Sequence, residues 1–336
     1  MPTYEAHIPE EIARAYGLEH ITEAQRLSGG LVNQTILVTS DSGRRILQRV
    51  SGEIHPQSYE DTKVVADHLV TNGLRAPVPL PTISGEFSAT DRSGFQWRSS
   101  VYIESDGVPD DIDGDLVSAS GALIGEWHKA ASTLAYVPKF GIPGFHNTAL
   151  YARRLRACMD ALHEDDIRTA RLLLTVASKS IQLNDPHQII HADTKPDNMT
   201  YEDRAPTALI DLDTVMRGSV LTDIGDFLRS VIGRTIKKES EQGTYRGPHL
   251  EYIGKFIDGY LERNDLAMPY TKALRHVKHA TSLLAAELGI RYLCDMTLRA
   301  DERYFACDDH SKRAKLQLTV ATLVTEATIN DMIGGK

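Results

Sequence analysis

The polar and apolar positions of the chain change their period near residue 114. Before that point short runs alternate: "ITEAQRLS", "TILVTS" and "RRILQRV" each read as a strand, and "DSGR" supplies a hairpin turn between the second and third. "GEFSAT" and "FQWRSSVYI", separated by the turn composition "DRSG", add two more. Among them "PQSYEDTKVVADHLVTNG" has helical spacing and closes at Gly73, and the opening stretch carries a short amphipathic helix with Pro9 near its first turn. Pro77, Pro79 and Pro81 in "APVPLPTISG" predict an extended connection rather than the interior of an element. After residue 114 the pattern turns helical, in "DLVSASGALIGEWHKAAS", "ALYARRLRACMDALHE", "IRTARLLLTVASKSIQ" and several segments beyond residue 220. "HQIIH", "NMTY" and "TALIDLD" interrupt it as short strands. The expectation is an α+β chain of two lobes. Residues 1–104 form a five-stranded antiparallel sheet with one helix, a hinge lies near Glu104 to Val108, and residues 105–336 form a larger, mainly helical lobe.

Composition narrows the classes of function. The chain has 336 residues, 41% of them hydrophobic and 25% charged, enough to bury a core in each lobe, and no apolar run approaches the ~20 residues of a membrane helix. Its opening residues lack a basic segment followed by an apolar one, and Cys158, Cys294 and Cys307 form neither a close pair nor a metal-ligand spacing. Both features fit a reducing cytoplasm. A formal charge of −9, with no basic stripe, opposes nucleic-acid binding and favours a small-molecule substrate.

The densest chemistry lies in "IIHADTKPDN", residues 189–198, followed by "LIDLDT". Asp193 offers a carboxylate, Lys195 a cation two residues on, and Asn198 an amide oxygen, all in a loop after an apolar run. In an extended segment Asp211 and Asp213 face the same way. Magnesium takes one or two carboxylate or amide oxygens and leaves its remaining positions to water and phosphate, so Asn198 and Asp211 suit it. Phosphoryl transfer then needs a carboxylate to orient the attacking hydroxyl, which falls to Asp193, and a cation for the γ-phosphate, which falls to Lys195; His191 fixes the loop. Gly29, Gly30 and Asn33 in "LSGGLVNQTILV" could bring N–H groups and an amide to the nucleotide phosphates. Arg49 stands where a cation for the α- and β-phosphates is wanted, and Glu60 could pair with it. "DLD" alone also fits a nucleotide-sugar clamp of a glycosyltransferase, a reading that leaves "HADTKPDN" unexplained.

H-x-D-x-K-x-x-N followed by I-D-x-D resembles the kinase catalytic loop and the metal-binding segment behind it, but D-F-G, A-P-E and V-A-I-K are missing. The chain resembles instead the aminoglycoside phosphotransferase and choline kinase superfamily, whose protein-kinase-like fold serves small acceptors. Within it, "ILQRV", "IPGFHNT", "HADTKPDN", "IDLDTVMRGSVLTDIGDFLRS" and "ELGIRYLCDMTLRADERYF" are similar to bacterial N-acetylhexosamine 1-kinases. That resemblance implies ATP and Mg2+, a sugar acceptor, Asp193 as base, and Asn198 and Asp211 as metal ligands. It further implies Asp213 facing the acceptor or the metal, Arg291 and Tyr304 as sugar contacts, and Asp223, Asp226 and Arg229 bracing the loop, with Arg229 as an additional acceptor contact. Leu31 departs from the polar or histidine residue of those kinases. The alternatives are a kinase for another small alcohol, choline-like or aminoglycoside, and a nucleotide-binding regulator without turnover.

Overall fold

The computed structural model describes residues 4–27, 34–50, 55, 57–178, 187–245, 247, 249–299, 302–305, 307 and 309–333. Its first lobe is built on β1 (Tyr4–Glu5), β2 (Glu23–Arg26), β3 (Gln34–Ser40), β4 (Gly43–Arg49), β5 (Pro79–Leu80), β6 (Ala89–Thr90) and β7 (Gln96–Val101), with α1 (Glu10–Ala15) and α2 (Ser58–Thr71) between them. The strands run in the order β1-β2-β3-β4-β7-β5, β6 also pairs with β7, and every pairing is antiparallel. Among the described residues seven strands stand where five were expected. The proline-rich connection contributes β5, which lies at the edge of the sheet, where a residue without an N–H costs no ladder bond. "GEFSAT" shrinks to the two residues of β6.

Alternation along these strands separates two faces. Ile36, Val38, Leu47 and Trp97 are buried against Ile12 of α1 and Tyr16 just after it, in a core of their own. Arg98, next to Trp97, therefore looks the other way, toward the second lobe. α2 does not share the sheet's core: Val65, Ala66 and Leu69 belong to the large hydrophobic cluster of the helical lobe. Polar contacts fix it there. The Asp61 carboxylate accepts the Tyr136 hydroxyl at 2.6 Å and the backbone N–H groups of Lys139 and Phe140 at 2.8 and 2.7 Å.

The helical lobe runs through α3 (Gly114–Ala131), α4 (Thr148–Cys158), α5 (Glu164–Ser178), β8 (Gln188–Ile190), β9 (Met199–Glu202), β10 (Ala205–Leu209) and β11 (Met216–Gly218). It continues through α6 (Val220–Gln242), α7 (Tyr252–Arg263), α8 (Tyr270–Met296), α9 (His310–Glu326) and α10 (Ile329–Met332). β9 pairs with β10 and β8 with β11, a strand that periodicity did not announce. Between the lobes the chain is stitched to β9: the Asp106 N–H donates to the Tyr201 carbonyl at 2.8 Å, and the Tyr201 N–H to Ser105 Oγ at 3.0 Å. α6 crosses α8 closely at Gly225, where a Cβ would lie 2.7 Å from the Ala280 carbonyl carbon. Any larger residue would separate the two helices that frame the candidate site. None of the described helices is long and apolar enough to cross a membrane.

Candidate functional site

β8 delivers residues 191–198 to the front of α6, and their backbone is held in an unusual shape. Ala192 has φ +67°, a left-handed conformation that costs a non-glycine residue roughly 1–2 kcal/mol. Asp223, fully buried in the first turn of α6, holds it: its carboxylate accepts the N–H groups of His191 and Ala192 at 2.8 and 2.7 Å, and its carbonyl accepts the Thr194 hydroxyl at 2.6 Å. The same carboxylate takes His128 Nε2 at 2.9 Å, and His128 Nδ1 lies 3.0 Å from the Tyr260 hydroxyl. Burial would raise the Asp223 pKa; its hydrogen bond to His128, together with His128 and His191 nearby, outweighs that and holds it below the usual range. The brace expected of Asp223 is thus built. His191 fixes the loop as expected, with Nε2 2.9 Å from the Ile210 carbonyl.

The loop brings Asp193, Lys195 and Asn198 together. Lys195 Nζ donates to Asp193 Oδ2 at 2.6 Å, and Asn198 Nδ2 donates to the same oxygen and to the Asp193 carbonyl, both at 2.8 Å. Asn198 thereby spends its donor on Asp193, and among the described residues its Oδ1 accepts no hydrogen bond. Asp193 Oδ1 accepts no hydrogen bond among the described residues. Burial pushes the Asp193 pKa up, but the Lys195 ammonium, with Arg229 and His191 behind it, brings it below the ordinary value. Asp211 moves the other way, up to about 7, through burial first and then the charges of Asp213 and Asp193. Its backbone is left-handed as well (φ +64°), which an Asp tolerates better than most residues.

This concentration of carboxylate charge beside an uncommitted amide oxygen fits a hard divalent cation. Among the described residues no three His, Cys, Asp or Glu side chains form a metal cage. A cation held by Asn198 and Asp211 would therefore take its other oxygens from water and phosphate, as magnesium commonly does.

Asp213 is placed differently from the expectation. Its carboxylate pairs with the Arg98 guanidinium at 2.5 Å, and the two side chains are 8% and 4% exposed. Arg98 also donates from Nε to Gln48 Oε1 at 3.0 Å and lies over the Tyr59 ring at 4.3 Å. The sheet thus contributes its cleft-facing cation from β7. Arg49 is on the opposite face, over the Phe95 ring at 4.3 Å, because it shares the strand parity of the core residue Leu47. Glu60 is exposed and accepts from Gln57, and among the described residues it makes no ion pair with Arg49. Gly29, Gly30, Leu31 and Asn33 lie outside the described residues.

On the helical side Arg229 pairs with Asp226, Nε to Oδ1 2.9 Å, and its charge reaches Asp193. Arg291, on α8, is 9% exposed, and its guanidinium carbon lies 5.0–5.2 Å from the ring centres of Phe145, Tyr151, Tyr304 and Phe305. Among the described residues no carboxylate comes within ion-pair distance of it. Burial raises the Tyr304 pKa, Arg291 opposes the rise, and the Asp193 charge adds to it, which places the phenol in the electrostatic neighbourhood of the 191–198 loop. Sequence reasoning missed Gln48, Arg98, His146 and Glu287. The parity of Leu47 carried a signal for Gln48; nothing in local spacing marked the others.

The model of the phosphotransferase enzyme family matches residues 23–261. Among solved structures, an amicoumacin kinase in complex with AMP-PNP, Ca2+ and Ami superposes with a TM-score of 0.66 at 15% identity, covering 95% of this chain and 94% of that one. A microcompartment-associated aminopropanol kinase gives 0.64 at 14% identity, covering 96% and 98%. A choline/ethanolamine kinase family protein from Mesorhizobium loti gives 0.57 at 16% identity, covering 93% and 91%. These likenesses establish the kinase-like fold expected of the two lobes.

Proposed function

The chain belongs to the phosphotransferase enzyme family, and we propose on that premise that it transfers the γ-phosphate of ATP to a hydroxyl of an N-acetylhexosamine, the anomeric one. The observation that carries the acceptor class is Arg291. Its four-ring cage is of the kind that elsewhere holds a quaternary ammonium, and here a protein cation already fills it. A choline or aminoglycoside acceptor would bring a second positive charge to a buried guanidinium, whereas an acetamido carbonyl or a ring hydroxyl accepts its N–H groups.

Asp193 Oδ1 receives the acceptor hydroxyl and orients it toward the phosphorus. A carboxylate with a lowered pKa is a weak base, which suits a loose transition state in which the proton leaves late and alignment supplies most of the rate. Lys195, already on Asp193 Oδ2, meets the charge that develops on the transferred group. Asn198 and Asp211 would hold a magnesium ion, which would supply neutralisation of the nucleotide's phosphate charge. Arg98 keeps Asp213, and with it the Asp211 segment, against the sheet.

The reading is tested by ADP release from magnesium-ATP across N-acetylglucosamine, N-acetylgalactosamine, glucosamine, galactose, choline and kanamycin. Release with the acetylated sugars alone is expected, and Arg291→Leu should raise their KM by about tenfold or more. Turnover with choline or kanamycin would instead favour a small amino alcohol, a second reading supported by neighbours named as aminopropanol and choline/ethanolamine kinases. ATP binding without release on any acceptor would favour a regulator.

A further inference from the structure

The His146 ring touches the catalytic loop from the acceptor side. Its Nε2 lies 2.7 Å from the Ala192 carbonyl and its Nδ1 3.0 Å from Glu287 Oε1. A carbonyl and a carboxylate only accept, so both ring nitrogens carry hydrogen. Glu287 is 2% exposed and takes the Thr148 hydroxyl on its other oxygen. The peptide gripped by His146 is the strained one, and its far end carries Asp193. The Ala192 N–H is bound by Asp223, its side chain is packed with Phe145 and Ile190, and its carbonyl completes the grip. Phe145 in turn lies under Arg291, one helical turn beyond Glu287.

We propose that His146 is a positioning residue for phosphoryl transfer: an imidazolium secured by Glu287, it fixes the Ala192 carbonyl and so the aim of Asp193 at the acceptor hydroxyl. This rests on the phosphotransfer reading of the loop but not on the identity of the acceptor. The groups that act on His146 are Glu287 from α8, Asp226, with its partner Arg229, from α6, and the Ala192 carbonyl from the loop, while Arg291 acts on Glu287. Asp226 Oδ2 is buried without a hydrogen bond, and the Asp226 charge, already paired with Arg229, adds to the pull of Glu287 on the imidazolium. Burial disfavours the His146 charge, and Glu287 outweighs burial, so the pKa lies above the ordinary value. The clamp is therefore complete below the ordinary histidine range and opens as pH rises through the raised folded value, when the Nδ1 lone pair meets the Glu287 carboxylate. The Glu287 pKa is lowered despite burial, chiefly by His146, so the acid side of the pair persists down to below the ordinary glutamate range.

The test compares the natural chain with His146→Gln and Glu287→Gln, measuring kcat and KM against pH with any acceptor of the panel that turns over. Without acceptor, hydrogen exchange of residues 192–194 and the imidazole titration of His146 by NMR are followed. Glu287→Gln is expected to move the alkaline limb of kcat and the imidazole titration down by about one pH unit. His146→Gln retains a donor for the Ala192 carbonyl; it should lower kcat by roughly 10-fold or more, leave KM for ATP within about twofold, and abolish that limb. Exchange at 192–194 should quicken in both variants. Unchanged exchange and an unshifted imidazole titration overturn the proposal, and so does lower thermal stability with natural kcat and an intact alkaline limb. Failure of the acetylated-sugar reading leaves the test standing, because the rates accept any acceptor and the other two measurements need none.

Discussion

A charged pair taken out of water must recover its desolvation through geometry, and the Arg98–Asp213 pair does so with supporting bonds on both sides. Arg98 has Gln48 on Nε and the Tyr59 face beneath it, and its pKa is raised, with burial opposing and Asp213 the main cause of the rise. Removing one partner strands the other. Arg98→Met should cost about 3–5 kcal/mol by taking the paired guanidinium from the buried Asp213 carboxylate, and combining it with Asp213→Leu should return most of that loss. Denaturant midpoints of the two single variants and the double variant measure the coupling, and additive losses would mean that the pair is no unit. This residue also shows where sequence reading stopped. Composition alone offers Arg49 as the cation of "RRILQRV", but Leu47 is a core residue, and period-two alternation sends Arg49 to the core face and Gln48 to the cleft. The partner of Gln48 stands 50 residues later on β7, a cross-strand relation that only the register reveals.

At the scale of elements, most of the strands and helices were legible because their apolar spacing is strong, and the errors fall where tertiary contact decides. β5 is made by an edge pairing that prolines tolerate, and β11 exists because Met216 and Gly218 find β8. α2 was read correctly as a helix, yet its lobe could not be read, since its apolar face does not state which core will receive it. The structure answers through Asp61, which is 2% exposed and accepts two backbone N–H groups and a phenol from the 136–140 segment. Asp61→Ala should destabilise the chain by about 1–3 kcal/mol, because three donors of the 136–140 segment would lose the buried carboxylate that accepts them. Tyr136→Phe, which removes a single donor, should cost about 1 kcal/mol. Equal losses from the two would show that the backbone bonds contribute little and that α2 is held by its apolar face alone.

Across the whole molecule, the candidate site draws on parts that fold far apart in sequence: Arg98 from the sheet, residues 191–198 after β8, Asp211 and Asp213 before β11, Arg229 on α6 and Arg291 on α8. The contiguous motif was visible as chemistry, since a loop with Asp, Lys and Asn at those offsets has few other uses; the acceptor side was reached through resemblance, because its residues share no local pattern. A ligand that touches both lobes binds only the folded arrangement and stabilises it by mass action. A non-hydrolysable ATP analogue with magnesium at about 100 times its Kd should add about 2.7 kcal/mol, a rise of a few degrees in Tm. The part of that rise due to the metal tests the assignment of Asp211, whose charge stands against those of Asp213 and Asp193 until a cation joins them. In Asp211→Ala the nucleotide should still raise Tm, while magnesium adds nothing beyond it. A magnesium increment that survives the substitution would remove Asp211 from the ligand set and leave Asn198 and the phosphates to hold the ion.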